Sequence, residues 1–399
     1  MAKDTPMARI NIIARSCGFQ HKKLPITYLG APLFSGCPSL LIFENLLVKI
    51  RQKVVGWRSK LLSQGGRLVL IRHVLSSMPI YLLSAMHFPT SIIKDSERIF
   101  SDFFWGDSNG KKRRKWIAWE SICCPCSEGG LNIRSVTNVM KSFRIKQAWA
   151  IFTSDSLWAR FMILKYVKST HLSQVQFHTG CSNLWWHILK VFPFIFDNSC
   201  WVIGRGEVDL LFDNWLGSGT LCSVFPPSQP PVRTVSVQEG FDSDFQVDGI
   251  SSTMRDFICR NIAVSSIRLR DDPDNFIWKP ATDGKFSVKS AYNICRLRRP
   301  YQSWWKLIWF KRVPIKISVF SWKLVHSVVS VDSVIQACDV HLASWCHCCE
   351  HHQVESLHHL FISGNFARLV WRHFEDVFCI PTRNFNTVSQ GWESTVAVA

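Results

Sequence analysis

The sequence predicts a mainly α fold with small β elements. Apolar residues recur at three- and four-residue spacing through much of residues 40–166, the signature of amphipathic helices. Extended pieces are short, bounded by Gly, Asp and Asn, and confined to the neighbourhoods of 195–215 and 275–290. Hydrophobic residues make up 47% of the 399 residues, with a mean hydropathy of +0.06. That supplies core enough for two or three domains and excludes a disordered or fibrous chain.

The elements follow in order. Residues 40–60 read as a helix with Phe43, Leu47, Ile50, Val54 and Trp57 on one stripe, while Lys49, Lys53 and Lys60 lie off it, facing solvent or phosphate. Residues 64–77 read as a second helix after Gly65-Gly66. Leu68, Ile71, Val74 and Leu75 point inward, Arg67 and Arg72 outward, and the helix stops near Pro79. A third runs from Thr90 to Trp105, and helical spacing returns from Arg134 to about Tyr166. Residues 195–240 read as strands and turns, with Cys200 to Ile203 and Val208 to Phe212 extended. Residues 225–232, with four prolines, read as a loop or linker. Phe276 to Trp278 reads as a strand that Phe286 to Val288 pairs back upon across Asp283-Gly284, and Ser290 is the candidate cap of the helix that follows. Pro314 separates two helical pieces in the tryptophan-rich stretch 303–328.

Charge is unevenly spread. Lys and Arg number 47 against 29 Asp and Glu, a formal +18; residues 1–115 hold 19 against 6, or +13. Such a field suits a polyanion, because phosphate neutralisation supplies most non-specific nucleic-acid affinity. The densest run, Lys111, Lys112, Arg113, Arg114 and Lys115, reads as a solvated loop or as a nuclear import signal. The most apolar stretch, Leu68 to Phe88, is interrupted by Arg72, His73 and Pro79, which argues against a membrane-spanning helix. Met1 to Ser16 lacks the unbroken apolar core of a signal peptide. The expectation is a soluble, nuclear or cytoplasmic protein, not secreted, with reduced thiols among its 15 cysteines.

Cys346 and Cys349, followed by His359, form the most chemically specific pattern. Two thiolates two residues apart on a turn can share a tetrahedral Zn²⁺ with a histidine from a following helix. A fourth ligand is then required, and Cys348, His351, His352, His358 and Glu355 lie nearby. The same spacing also fits a Cys/His-rich turn without metal. Cys123 and Cys126 share the two-residue gap, but no second pair stands at ligand distance. There is no phosphate-binding G-x-x-x-x-G-K-[ST] motif and no dinucleotide fingerprint. Asp271-Asp272 sits among Arg268, Arg270 and Pro273 without the aromatic residue of a polymerase hairpin, and reads as a solvated turn.

Taken as a set, further motifs resemble the downstream part of plant LINE-type (non-LTR) retrotransposon reverse transcriptase polyproteins. They run from Leu24 to Leu33, then Gly56-Trp57, Gly66-Arg67-Leu68 and Phe103 to Gly106. Trp116 to Trp119, Glu128-Gly129-Gly130-Leu131, Asp213 to Leu216 and Gly284 to Tyr292 follow. Trp305, Ile308-Trp309, Pro314, Lys316, Phe320, Trp322, Cys346, Cys349, Glu355-Ser356, His359-Leu360-Phe361 and Trp371 are similar to that family's zinc-binding module. The resemblance covers roughly residues 20–375. It implies a helical thumb-like and connection region at 20–190, a strand-turn connector at 191–270, the zinc-binding-type module at 274–375 and a tail at 376–399.

The resemblance also implies that the basic helices at 40–105 flank a template–primer duplex. Lys49, Lys53, Arg67, Arg72 and Lys111 to Lys115 are then the candidate contacts to RNA, DNA or an RNA–DNA hybrid. The family's polymerase palm lies upstream, and its ribonuclease H domain, where present, lies downstream; the stretch after Trp371 is too short for the latter. A non-catalytic, nucleic-acid-binding fragment is therefore expected, with a degenerate element copy among the readings. A polymerase accessory piece acting in trans and a protein-interaction module built on the tryptophan-rich unit are the alternatives. One departure matters: the family pattern carries a cysteine five residues after the module's histidine, where this sequence has Gly364. Cys346, Cys349 and His359 match, and the fourth ligand is missing unless His351, His352, His358 or water replaces it.

Overall fold

A computed structural model describes residues 6–18, 24–34, 36, 39–58, 62–106, 113–168, 170–226, 234–247, 249–349 and 353–378. It is mainly helical with two small antiparallel sheets. Helix α1 (Met7–Cys17) precedes a hairpin of β1 (Ile26–Tyr28) and β2 (Ala31–Leu33), then α2 (Leu41–Arg58), α3 (Gln64–His73), α4 (Ile80–Ala85), α5 (Thr90–Trp105) and α6 (Trp119–Ile122). The middle holds α7 (Val136–Thr153), α8 (Leu157–Met162), α9 (Asn183–Leu189), α10 (Phe192–Asn198), β3 (Ser199–Val202), α11 (Leu221–Val224), α12 (Val237–Asp242), α13 (Ser252–Ser265), β4 (Asn275–Trp278) and α14 (Val288–Cys295). The last part holds α15 (Trp305–Ile308), α16 (Ile315–Val325), α17 (Asp332–Gln336) and α18 (Asn365–Phe378).

The chain divides into two compact units that do not follow sequence order. One gathers Met1–Tyr81, Pro89–Val136 and Arg298–Ala399; the other gathers Leu82–Phe88 and Thr137–Leu297.

In the first unit the α2 stripe is buried as its spacing requires: Phe43, Leu47, Ile50 and Val54 are inside, and Trp57 packs on Phe103 with ring centroids 6.0 Å apart. Helix α5 buries Ile92, Ile93, Phe100, Phe103 and Phe104. Each such side chain contributes about 1.5–3 kcal/mol. Helix α3 lies directly against the start of α16. A Cβ on Gly65 would sit 2.9 Å from the Lys316 amide nitrogen, so only glycine permits this approach.

The Glu128-Gly129-Gly130-Leu131 motif is a docking strip. The Gly129 carbonyl accepts Trp322 Nε1 (2.8 Å) and His326 Nε2 (2.9 Å), Ser127 O accepts the Gln302 amide (2.8 Å), and a Glu128 carboxylate oxygen accepts the Arg299 amide (3.1 Å). Trp322 is fully buried, so its indole N–H needs that carbonyl.

In the second unit, β3 and β4 pair in the register Ser199↔Trp278 to Val202↔Asn275. Trp149 stacks on Phe276 (4.7 Å) and Phe286 (5.2 Å) beside the buried Trp185 and Trp278. Asp274 ties the 204–208 loop: its carboxylate accepts the amides of Gly204 (2.7 Å), Gly206 (2.9 Å), Glu207 (2.6 Å) and Val208 (3.2 Å). Arg144, 1% exposed, donates to the carbonyls of Leu83 and Met86 at the C-terminal end of α4, and burial lowers its pKa to about 10.

Several local expectations are corrected. Strand β4 pairs with β3 rather than with 286–288; the distant partner offers a register that buries Phe276 and Trp278. Val208 to Phe212 is a turn-rich knot rather than a strand, because the Asp209 carboxylate accepts the Leu211 and Phe212 amides and coils the backbone. Ser287, not Ser290, caps α14; Ser287 Oγ accepts the Ser290 amide, and Ser290 Oγ receives Trp278 Nε1. Helix resumes at Ile80 after Pro79, since proline is tolerated just ahead of a first turn. Hairpin β1–β2 and helix α1 were not anticipated. The hairpin turn, with Leu29 and Gly30 both at positive φ, is of the two-residue type that suits the strand twist.

Within Gln64–Ala85 an 18-residue window has a mean hydropathy of 1.5, so by length and composition alone the stretch would pass for a membrane span. Here it is broken into α3, a 3₁₀ turn at Leu75–Ser77 and α4, with Leu68, Ile71, Leu75 and Leu83 buried.

Candidate metal centre and basic surfaces

The metal-like residues come together. The ligand atoms of Cys346, Cys349 and His359 all lie within 4.8 Å of one another, and Cys349 Sγ is 3.1 Å from His359 Nε2. Cys346 is fully buried, and its amide donates to Gln353 O (2.9 Å), which folds the Cys-x-x-Cys turn back on the chain ahead of His359. His359, 8% exposed, opens a π-helical turn, His359–Ser363, and its amide donates to Ser356 Oγ (3.1 Å). Trp371 on α18 secures the turn from outside, donating from Nε1 to Phe361 O (2.8 Å). Burial raises the Cys346 thiol pKa; a hydrogen bond from the Cys348 backbone lowers it in part, and the Cys349 and Cys348 thiols raise it.

The donor set fits zinc. Two thiols and an imidazole are what tetrahedral sites use, and Zn–S of about 2.3 Å with Zn–N of about 2.0–2.1 Å requires ligand atoms separated on the scale observed. Gly364 completes the picture. Its amide donates to His359 O (2.8 Å), and a Cβ built there would stand 3.3 Å from His359 Nε2. Position 364 thus faces the cluster, but glycine supplies no ligand. His358 is exposed and outside the cluster; His351 and His352 lie outside the described residues.

Cys123 and Cys126 are buried core thiols. Burial is the main cause raising both, Cys126 to about 11, and Arg72 Nη2 donates to Cys126 Sγ at 3.7 Å. Neither belongs to a metal-like group among the described residues. No disulfide joins the described cysteines.

The predicted phosphate contacts separate into classes. Lys49 and Lys53 are exposed one turn apart on α2. Arg72 is engaged by the protein: Nε donates to Leu131 O (2.7 Å), and the guanidinium lies 5.2 Å over the Trp309 ring. Arg67 packs its guanidinium against Gly106, at the carbonyl end of α5. Lys115 is ion-paired with Asp102, Arg114 lies 5.1 Å over Trp116, and Arg113 is exposed. Lys111 and Lys112 lie outside the described residues. Asp271 and Asp272 are exposed, as expected of a solvated turn.

Sequence reasoning passed over a second basic region. From Gly284 to Val331 there are ten Lys and Arg residues and no Asp or Glu. The signal lies in the missing acids rather than in a dense run, so a search for clusters misses it.

Comparison with known proteins agrees with the centre. Residues 286–371 match the family described as zinc-binding in reverse transcriptase, a span that contains Cys346, Cys349, His359 and Gly364. The chain is 26% identical over 333 residues to a putative ribonuclease H protein of Arabidopsis thaliana, a match covering 80% of this chain and 53% of that protein. It is 21% identical over 143 residues to an uncharacterised mitochondrial protein of the same plant, covering 35% of this chain and 93% of that one. The chain therefore spans about half the length of the first of these relatives. The matches support a reverse-transcriptase-related chain that carries a zinc-binding-type module.

Proposed function

We propose that this chain is a non-catalytic, nucleic-acid-binding part of a LINE-type (non-LTR) reverse transcriptase, located in the nucleus or cytoplasm and acting off the membrane. The observation that carries the reading is the Cys346, Cys349 and His359 cluster inside the segment that matches the reverse transcriptase zinc-binding family, in a chain of formal charge +18. Zinc held by those three side chains would act as a structural cross-link between the cysteine turn and the π-helical turn. The chain's own residues do the rest. Ser356 fixes the His359 amide, Trp371 braces the turn, and Lys49 and Lys53 present cations on the open side of α2. Phosphate contact by such lysines gives affinity without sequence preference.

The test is fluorescence anisotropy with labelled RNA–DNA hybrid, DNA duplex and single strands across a salt series. Binding that weakens steeply with salt is expected; no binding at low ionic strength overturns the reading. Primer extension by the purified chain alone, with magnesium and nucleotides, is expected to give no product; extension would overturn its non-catalytic part.

A further inference from the structure

The acid-free run lies mostly in the first compact unit, where it exposes its cations to solvent. Arg298, Lys306, Lys311, Arg312 and Lys316 are all exposed, and none is held in an ion pair or hydrogen bond among the described residues. Between them stand exposed rings: Tyr301 at 61%, Phe310 at 55% and Phe320 at 43%, with Ile317 at 51%. Exposed aromatic rings interleaved with unpaired cations are the composition by which proteins hold a nucleic-acid strand.

The scaffold beneath is rigid. The stretch is anchored by Trp322 and His326 on the Gly129 carbonyl, by the Gln302 amide on Ser127 O, and by Trp309 under Arg72. Trp305 Nε1 donates to the Tyr301 hydroxyl (2.9 Å), which orients that ring, and Phe320 packs on Phe361 of the π-helical turn with centroids 6.0 Å apart. Tyr301 and Phe320 are therefore held in place by their neighbours, and Phe310 is exposed beside them in sequence.

We infer that residues 298–320 form a binding surface for single-stranded nucleic acid, with Arg298, Lys306, Lys311, Arg312 and Lys316 on the phosphates and Tyr301, Phe310 and Phe320 stacking on bases. The charge complements a polyanion, and the aromatic component selects the single strand. Bases paired in a duplex hide their faces; unpaired bases offer them to any aromatic ring whatever the sequence. A protein surface or a membrane would use the cations or the apolar groups, whereas a single strand offers a planar base with every phosphate. The inference rests on the nucleic-acid-binding reading above and adds a site remote in sequence from α2 and a preference for unpaired strands.

The experiment uses the full chain, prepared with zinc, and fluorescein-labelled dT20 and rU20 against a 20-base-pair duplex. Five phosphate contacts on a single strand give a slope of log affinity against log salt of about −3.5. The triple variant Lys306→Ala, Lys311→Ala, Arg312→Ala is expected to reduce that slope by about 2. Phe310→Ala is expected to weaken single-strand binding roughly tenfold, the size of one lost base–ring stack, with the slope unchanged. All four side chains are exposed, and an unaltered thermal transition confirms that each variant folds; Lys311→Gln with Arg312→Gln serves as a second, apolar-sparing test of the charge. If the variants bind as the parent does while Lys49→Ala with Lys53→Ala weakens binding, this surface is refuted and the general reading stands. A duplex bound more tightly than either single strand, with Phe310→Ala silent, also refutes it. No binding to any polynucleotide overturns both.

Discussion

Replacing Gly364 with cysteine tests the metal centre most directly. The backbone at 364 has φ −67° and ψ 153°, open to any L residue, so no conformational penalty arises there. A Cβ would lie 3.3 Å from His359 Nε2, aimed at the cluster, and 2.6 Å from the His359 carbonyl oxygen. The first distance places a thiolate within reach of a metal on Cys346, Cys349 and His359. The second forces the π-helical turn to give by several tenths of an ångström. Structural zinc contributes roughly 10–16 kcal/mol in four-ligand fingers, so one thiolate carries on the order of 3 kcal/mol. Crowding the turn costs about 1–2 kcal/mol. The surplus, about 1–2 kcal/mol, corresponds to roughly tenfold tighter zinc. Zinc competition against a chromophoric chelator measures it, with Gly364→Ala as control, because alanine brings the same Cβ contact and no ligand. Cysteine binding zinc no more tightly than alanine would refute the geometry.

Other outcomes follow from the same structure. Cys346→Ser is expected to abolish stoichiometric zinc and lower the thermal transition, and a strong chelator should do the same to the parent but not to the variant; calorimetry with metal analysis checks both. Trp322→Ala empties a fully buried site and strands the Gly129 carbonyl, costing about 3–5 kcal/mol by denaturant titration. Asp274→Ala leaves four amides without their acceptor and should cost at least about 3 kcal/mol in the second unit, read by hydrogen exchange at residues 204–208. His87 and His187 stack at 3.1 Å, and burial, then nearby cationic groups, lowers their pKa values to about 3 and about 4. Free imidazole titrates near 6.5, so the unfolded chain takes up more protons below that pH. The stability contributed by the neutral rings is full above about pH 6.5 and drains as pH falls toward the folded values. With both rings partly exposed, the loss by pH 5 is about 1 kcal/mol after solvent screening, and His187→Gln should flatten the pH dependence of melting.

Local pattern determined a good deal of this protein. The three-and-four spacing of Phe43, Leu47, Ile50 and Val54 demanded a helix with one buried face, and the run from Thr90 to Trp105 demanded another; both form with nearly the expected bounds. Helical bounds are legible because their hydrogen bonds close within a few residues. The Cys346, Cys349 and His359 spacing was legible for the same reason, since a turn and a short helix suffice to bring the ligands together.

Tertiary structure decided what depends on residues far apart. The partner of β4 lies more than seventy residues upstream, and no pairing preference within 276–288 could reveal it. Arg72 and Arg67 look like phosphate contacts in sequence, and only the fold shows what else lies beside them: Leu131 O and Trp309 for one, Gly106 at the end of α5 for the other. The Glu128 to Leu131 motif becomes intelligible only when Trp322 and His326 arrive on the Gly129 carbonyl. That Gly364 faces the metal centre rather than merely following it is likewise a fact of three dimensions, set by a π-helical turn whose wide ring folds residue 364 back over His359.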